Sequence, residues 1–258
     1  MTMPPSPQPA EQGVAARRPL PPLPPLPSPH GPASLRSPVV LGRITAAVLG
    51  LVIAADLFGV WADYKLYDVA NTVVGALADG LAGGGVSLAS LVQRADEADS
   101  LSLAAARVQT TALLAAGVVF LFWFRRVRLN AEVFFPAGHT WSRAWVIGGW
   151  FVPIVNLWRP RQIMTEIWDA SRPAGSRSRL GLVNLWWVLW LAGLVAGRFY
   201  SALSRNAETA KDIRDTALQA MIGDGLDIAA AVAAIVVVLK LTGMQNRKAL
   251  EDPAVSGA

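Results

Sequence analysis

Four charged side chains stand inside long apolar runs where charge is expensive: Asp56, Arg107, Arg198 and Asp227. Each falls about three to five residues from the end of its run, so by helix rise they share a depth of roughly 5 to 7 Å below one membrane surface. Two acids and two bases at one level can compensate one another, with Asp56 paired to Arg107 or Arg198 and Asp227 to the other Arg. A functional version of such a layer is a polar site for an ion, a proton or a lipid headgroup. The structural version is a set of salt bridges, helped by Arg side chains that snorkel toward water. Little other chemistry is on offer. There is no Cys and there are two His, His30 and His139, so thiol nucleophiles and Cys-based metal sites are excluded. The chain contains no HExxH, GxSxG or GxxxxGK pattern. Gly223-Asp224-Gly225-Leu226-Asp227 resembles an intramembrane aspartyl site, but Arg side chains at the level of its partner Asp56 would depress both carboxyls. The reading is a non-enzymatic chain with no cofactor and no metal.

A second constellation is basic and aromatic. Arg159, Arg161, Arg172, Arg177 and Arg179 accompany Trp145, Trp150, Trp158 and Trp168, and eight of the ten Trp lie between 141 and 190. Indole favours the headgroup boundary, where an apolar ring and one N–H donor are both satisfied. These residues therefore form a candidate face for anionic lipid or a protein partner. The plainer alternative is the ordinary excess of basic residues on the cytoplasmic side, with aromatic anchors. After Pro160, Ile163, Met164, Ile167 and Trp168 fall on one face of a short helix, and Arg161, Gln162, Thr165, Glu166 and Asp169 on the other.

The elements that must position these residues follow from hydropathy. Of 258 residues, 53% are apolar and only 16% charged, with a mean hydropathy of +0.40. A soluble domain carries about 25% charged residues, so this is the composition of a membrane protein. Four runs are long enough to span: about 39–61, 103–124, 181–203 and 224–242. The stretch Ala144 to Leu157, broken by Gly148, Gly149 and Pro153, is too short, and 141–171 is read as a re-entrant or interfacial element. Small residues at four-residue spacing, Ala46-Gly50-Ala54, Ala112-Ala116, Gly193-Gly197 and Ala230-Ala234, read as helix-packing faces.

Charge sets the orientation. Residues 125–180 carry nine Arg and a net +6, whereas 62–102 carry a net −4. The positive-inside rule makes the first segment cytoplasmic, and with it both termini. The overall +5 belongs to these loops, so no nucleic-acid partner is inferred. In the outer loop, Val69, Val73, Val74, Leu77 and Leu81 recur at helical spacing and predict an amphipathic helix lying on the membrane surface. Residues 1–38 hold thirteen of the eighteen Pro, which predicts a disordered, cytoplasmic polyproline II tail. It is either a docking strip for a protein partner or a spacer, and it lacks the order of a cleavable signal peptide. Residues 244–258 form a short cytoplasmic tail.

The run Asn130-Ala131-Glu132, Trp141-Ser142, Trp145, Gly149 to Pro160 (GWFVPIVNLWRP), Glu166 to Ser171 (EIWDAS), then Trp186-Trp187 and Trp190, resembles a known family. It is similar to actinobacterial multi-pass membrane proteins grouped as domain of unknown function 4328, densely over 123–191 and more loosely over the rest of the helical body. The resemblance implies a membrane architecture and brings no reaction, ligand or catalytic residue. The expected protein is an all-α, four-helix bundle integral to the cell membrane. Its expected role is that of an interaction or sensory module, with a small-solute or ion transporter or channel component as the alternative. Its expected partners are membrane lipids, anionic ones included, and a protein met through the Pro-rich tail or the cytoplasmic face.

Overall fold

The computed structural model describes residues 35–78, 87–173 and 180–251, and among them no strand occurs. Six helices follow in order: α1 (Val39–Ala78), α2 (Leu88–Phe134), α3 (Trp145–Phe151), α4 (Arg159–Ser171), α5 (Gly181–Ser204) and α6 (Ala210–Glu251). Four of them, α1, α2, α5 and α6, are long and apolar enough to cross a membrane. The seven residues of α3 reach only about 10 Å at 1.5 Å per residue, a third of a hydrocarbon core of about 30 Å. Local sequence fixes several ends. Ser87 caps α2 by accepting from the Ser90 N–H at 3.2 Å. Thr209 and Asp212 form a reciprocal capping box at α6: the Thr209 hydroxyl accepts from the Asp212 N–H, and the Asp212 carboxylate accepts from the Thr209 N–H.

The long helices exceed the apolar runs that announce them. The stretch expected to lie as a separate amphipathic helix on the surface is instead the continuation of α1 to Ala78. It pairs with the early part of α2 through an Arg94–Asp68 ion pair at 2.8 Å. The physical reason is that Val69 and Ala70 find a buried place against the bundle, so breaking the helix at the membrane surface would gain nothing. The predicted tail 1–38 falls largely outside the described residues, as do Leu81 and the last residues of the C-terminal tail.

Helices α1 and α6 make the central antiparallel pair, with α2 flanking α1 and α5 flanking α6. Between α2 and α5 lies a wedge built from α3 and α4. Trp150 is its centre, with ring centroids 5.6 Å from Phe120 and from Trp190 and 6.1 Å from Phe124 and from Trp187. The α4 face of Ile163, Met164, Ile167 and Trp168 is buried in the same core as Trp123, Val127 and Leu241. The amphipathic pattern thus holds, but its apolar face meets protein.

Glycine sets the approach of the central pair. A Cβ at Gly42 would lie 2.5 Å from Thr242 Oγ1, the atom that accepts a hydrogen bond from Trp123 Nε1 at 3.0 Å. Gly50 and Gly197 face open space, so those parts of the small-residue stripes do not pack within the bundle, and Gly117, which belongs to no stripe, faces open space as well. Gly42→Ala is therefore expected to cost about 1–3 kcal/mol through overpacking. Gly117→Ala should be neutral or stabilising by up to about 1 kcal/mol through helix propensity. Thermal unfolding in detergent checks the contrast, and equal effects at the two positions would remove the α1–α6 contact as the reason for Gly42.

Candidate functional site

Asp56 is 5% exposed and does not face an Arg. Its Oδ1 accepts from Gln109 Nε2 at 3.4 Å, and the same nitrogen donates to Asp224 Oδ1 at 2.8 Å. One carboxamide on α2 thus bridges carboxylates on α1 and α6. Gly59 makes room for the bridge, since a Cβ there would collide with Gln109 Nε2 and Asp224 Oδ2. Asp227 Oδ1 likewise occupies the space left by Gly193 of α5. The second oxygens of Asp56 and Asp224 are buried and have no hydrogen-bond partner among the described residues. The site is acidic, polar and shared by α1, α2 and α6 on the half of the bundle nearer the α1–α2 connection.

The expected salt bridges to Arg107 and Arg198 are not formed among the described residues, and both Arg side chains are exposed. Equal depth did not mean facing. Arg107 and Gln109 are two residues apart, about 200° around a helix of 3.6 residues per turn. When Gln109 points into the bundle, Arg107 points out. Gly193 and Arg198 are similarly separated, by about 140°. This also removes the stated objection to an aspartyl pair, that Arg would depress both carboxyls, and puts another in its place: a carboxamide stands between Asp56 and Asp224. The signal that finds Gln109 is azimuth, because it lies with Ser102 on the Ala98, Ala105 and Ala116 face of α2 and alone of the two is long enough to reach a neighbouring helix.

The opposite end of the bundle is tied by a second network. Gln245 Nε2 donates to Val127 O at 2.8 Å and to Ser171 Oγ at 3.0 Å. Its Oε1 accepts from Asn130 Nδ2 at 3.0 Å, and Asn130 exchanges hydrogen bonds with the Arg36 backbone. Gln245, Asn130 and Ser171 are each at most 1% exposed, so this knot joins α6, α2, α4 and the segment before α1. Nearby, Glu132 pairs with Arg128 at 2.6 Å and with Arg143 at 2.7 Å, and Arg128 also donates to Trp141 O. Breaking a buried pair of this kind typically costs 3–5 kcal/mol.

The basic Trp-rich residues separate in this frame. Arg161 donates twice to Asn184 Oδ1, at 2.7 and 3.1 Å, and Arg172 pairs with Asp169 at 3.0 Å. The Arg159 guanidinium stacks 3.2 Å from the Trp141 ring centroid and 5.0 Å from that of Trp145. Trp150 and Trp168 belong to the core cluster or pack against it, whereas Trp158 is 42% exposed. Arg177 and Arg179 lie outside the described residues. The indoles are packed on one another more than spread along a boundary, because Phe120, Phe124, Trp186, Trp187 and Trp190 offer Trp150 a complete aromatic shell. Pro153 and Ile154 form the tight turn beyond α3. The Val155 N–H bonds Pro153 O at 2.7 Å across Ile154, whose φ of 66° is costly for a β-branched residue.

Two expectations follow. Gln109→Leu should strand two buried carboxylates and lower stability by about 1–3 kcal/mol for each group left without its donor, while Arg198→Gln stays within about 0.5 kcal/mol. A comparable loss from both in detergent unfolding would restore the Asp–Arg layer. At the other end, burial pushes the Glu166 carboxyl up, but His139 and the Thr140 N–H outweigh this and hold it below its ordinary value. The carboxyl binds its proton less tightly folded than unfolded, so its stabilisation is present above the unfolded value and lost as pH falls through the folded one. Trp fluorescence followed from pH 7 to pH 3 should report loosening of α4, and Glu166→Gln should flatten that response. An unchanged acid response in the variant would clear Glu166 of the effect.

Comparison with known proteins places the chain without giving it an activity. No curated protein matches it, and no solved structure does. The family model described as Domain of unknown function (DUF4328) matches residues 87–243. The match runs from the Ser87 cap through most of α6, taking in Gln109, Asp224, Asp227, α3 and α4, and leaving α1 with Asp56 outside. Since it spans more than half of the sequence, the chain belongs to the Domain of unknown function (DUF4328) family.

Proposed function

We propose that the protein is a non-enzymatic, multi-pass protein of an actinobacterial cell membrane that works as an interaction or sensory module, with both termini cytoplasmic. One observation carries this reading: α1, α2 and α6 meet at Asp56, Gln109 and Asp224 and are tied again by the Arg36–Asn130–Gln245 knot. Gln109 and Asn130 lie on one unbroken helix, about 32 Å apart by helix rise. A change of charge at the carboxylates therefore bears on helices that also hold α4, through Ser171 and through Lys248, which donates to Ala170 O at 2.7 Å. The carboxylates form the receiving end and the α3–α4 cap the responding end.

The topology belongs to the same proposal. Trp150 meets Trp190, nine residues or about 14 Å inside α5, which favours a re-entrant path for 141–171 from the cytoplasmic side. Partners are membrane lipids, anionic ones included, and a protein reached through the Pro-rich tail or the cytoplasmic face; nucleic acid is not among them. The alternative, a small-solute or ion transporter or channel component, is favoured by the grouping of Asp56, Asp224 and Asp227 without a basic partner.

The test uses the full chain reconstituted in one orientation. Cytoplasm-only reporters should work near Gly138 and Gly175 and fail near Gly84. In the same orientation, acidifying the outer side should change Trp fluorescence of the cap in the wild type and not in Asp56→Asn/Asp224→Asn, with no cation flux in either. Flux abolished by the double variant would establish the transporter instead, and a cap deaf to outer pH would end the sensory reading.

A further inference from the structure

The α1–α2 pair leaves a groove of about 630 Å³ on the outside of the bundle, running from Val48 to Phe58 on α1 and from Ala115 back to Arg107 on α2. Ten residues of helix make it about 15 Å long, half of a hydrocarbon core of about 30 Å. Within the apolar runs 39–61 and 103–124 it covers the half toward Trp61 and Leu103, where Phe58 and Arg107 close its end. Its lining is short in side chain: Ala54, Ala55, Ala112 and Ala115 supply methyl groups where larger residues would fill the space. Its walls are apolar, with Thr111 as the other polar residue, and the Thr111 hydroxyl is already given to Arg107 O at 2.8 Å.

Arg107 is the feature that selects an occupant. Its side chain is exposed and makes no hydrogen bond or ion pair among the described residues. The acids of the neighbouring layer point the other way, toward Gln109. We propose that this groove is a binding site for one anionic phospholipid of that leaflet, with an acyl chain along Ala54 and Ala112 and the headgroup phosphate on Arg107. Three features agree on this: the length is that of one leaflet, the lining is apolar with small residues, and its one cation lies close enough to the end of the apolar run for a long Arg side chain to snorkel to the headgroups. A second copy of the chain fits less well, because a partner helix would press along the whole span and bury Arg107 against an apolar surface at high cost.

The experiment takes the full chain in detergent with equal amounts of phosphatidylglycerol and phosphatidylcholine of the same acyl chains, and counts retained lipid by native mass spectrometry. Wild type should retain one lipid and favour phosphatidylglycerol about fivefold, the ratio that one basic group near an anionic surface supplies. Arg107→Gln should still retain a lipid but lose the preference, and Arg107→Lys should recover it. Ala54→Leu/Ala112→Leu, which fills the groove, should retain neither lipid. Should that double variant fail to fold, the Arg107 series decides alone. An equal preference in wild type and Arg107→Gln overturns the proposal. So does a wild-type dimer that carries no lipid and that the leucine variant dissociates, which would assign the groove to a second copy.

Discussion

Within a bilayer there is no water to complete a polar group, so a hydroxyl can bond a carbonyl of its own helix, as Thr45 does to Leu41 O, but carboxamides and carboxylates must find partners on another helix or point to the surface. The bundle is organised by that requirement more than by its apolar area, since lipid tails are as apolar as Leu and give helices no reason to choose one register. Gln245, Asn130 and Ser171 choose it at one end, and Gln109 with Asp56 and Asp224 at the other. Sliding any of α1, α2 or α6 by one turn would move a carboxamide about 5.4 Å from its acceptors. Glycines at 42, 59 and 193 are the steric counterpart, each standing where a polar group of a neighbouring helix comes close.

The cap between α2 and α5 solves a different problem. Direct contact between α2 and α5 is slight, and the aromatic wedge fills the space between them with Trp150 among five rings. Some polar atoms there are paired in protein, with Trp187 Nε1 donating to Leu157 O at 3.1 Å and Glu132 taking both Arg128 and Arg143, whereas Trp150 Nε1 is buried with no hydrogen-bond partner among the described residues. The strained turn at exposed Ile154 is held by backbone hydrogen bonds on either side, Val155 N–H to Pro153 O and Leu157 N–H to Ile154 O. The cap is joined to the bundle through α4, which is tied to α6 by Gln245 and Lys248.

The two polar centres differ in what they leave unsatisfied. At the knot each carboxamide oxygen and nitrogen has its partner. At the Asp56–Gln109–Asp224 bridge a single donor serves two acids, and the remaining carboxylate oxygens have none among the described residues. Half-satisfied polar groups are costly where they serve structure alone, and of the two centres this bridge carries that cost.

Composition and hydropathy by themselves pointed to the membrane class, the all-helical architecture and the four helices long and apolar enough to cross, because a run of about twenty apolar residues has few other stable solutions. The apolar face of α4 was also legible, since Ile163, Met164, Ile167 and Trp168 repeat at helical spacing. What only the tertiary structure decided was which residues meet. Depth along a helix can be counted from sequence, but azimuth depends on how each helix is turned in the bundle, and that turn is set by contacts between distant residues. Counting depth grouped Asp56 with Arg107 and Arg198; the packing turned Arg107 outward to the groove between α1 and α2 and put Gln109 and Asp224 beside Asp56. The same limit applies to the Trp residues, whose preference for a boundary is a property of isolated indoles, while their actual place was fixed by five other rings close enough to pack.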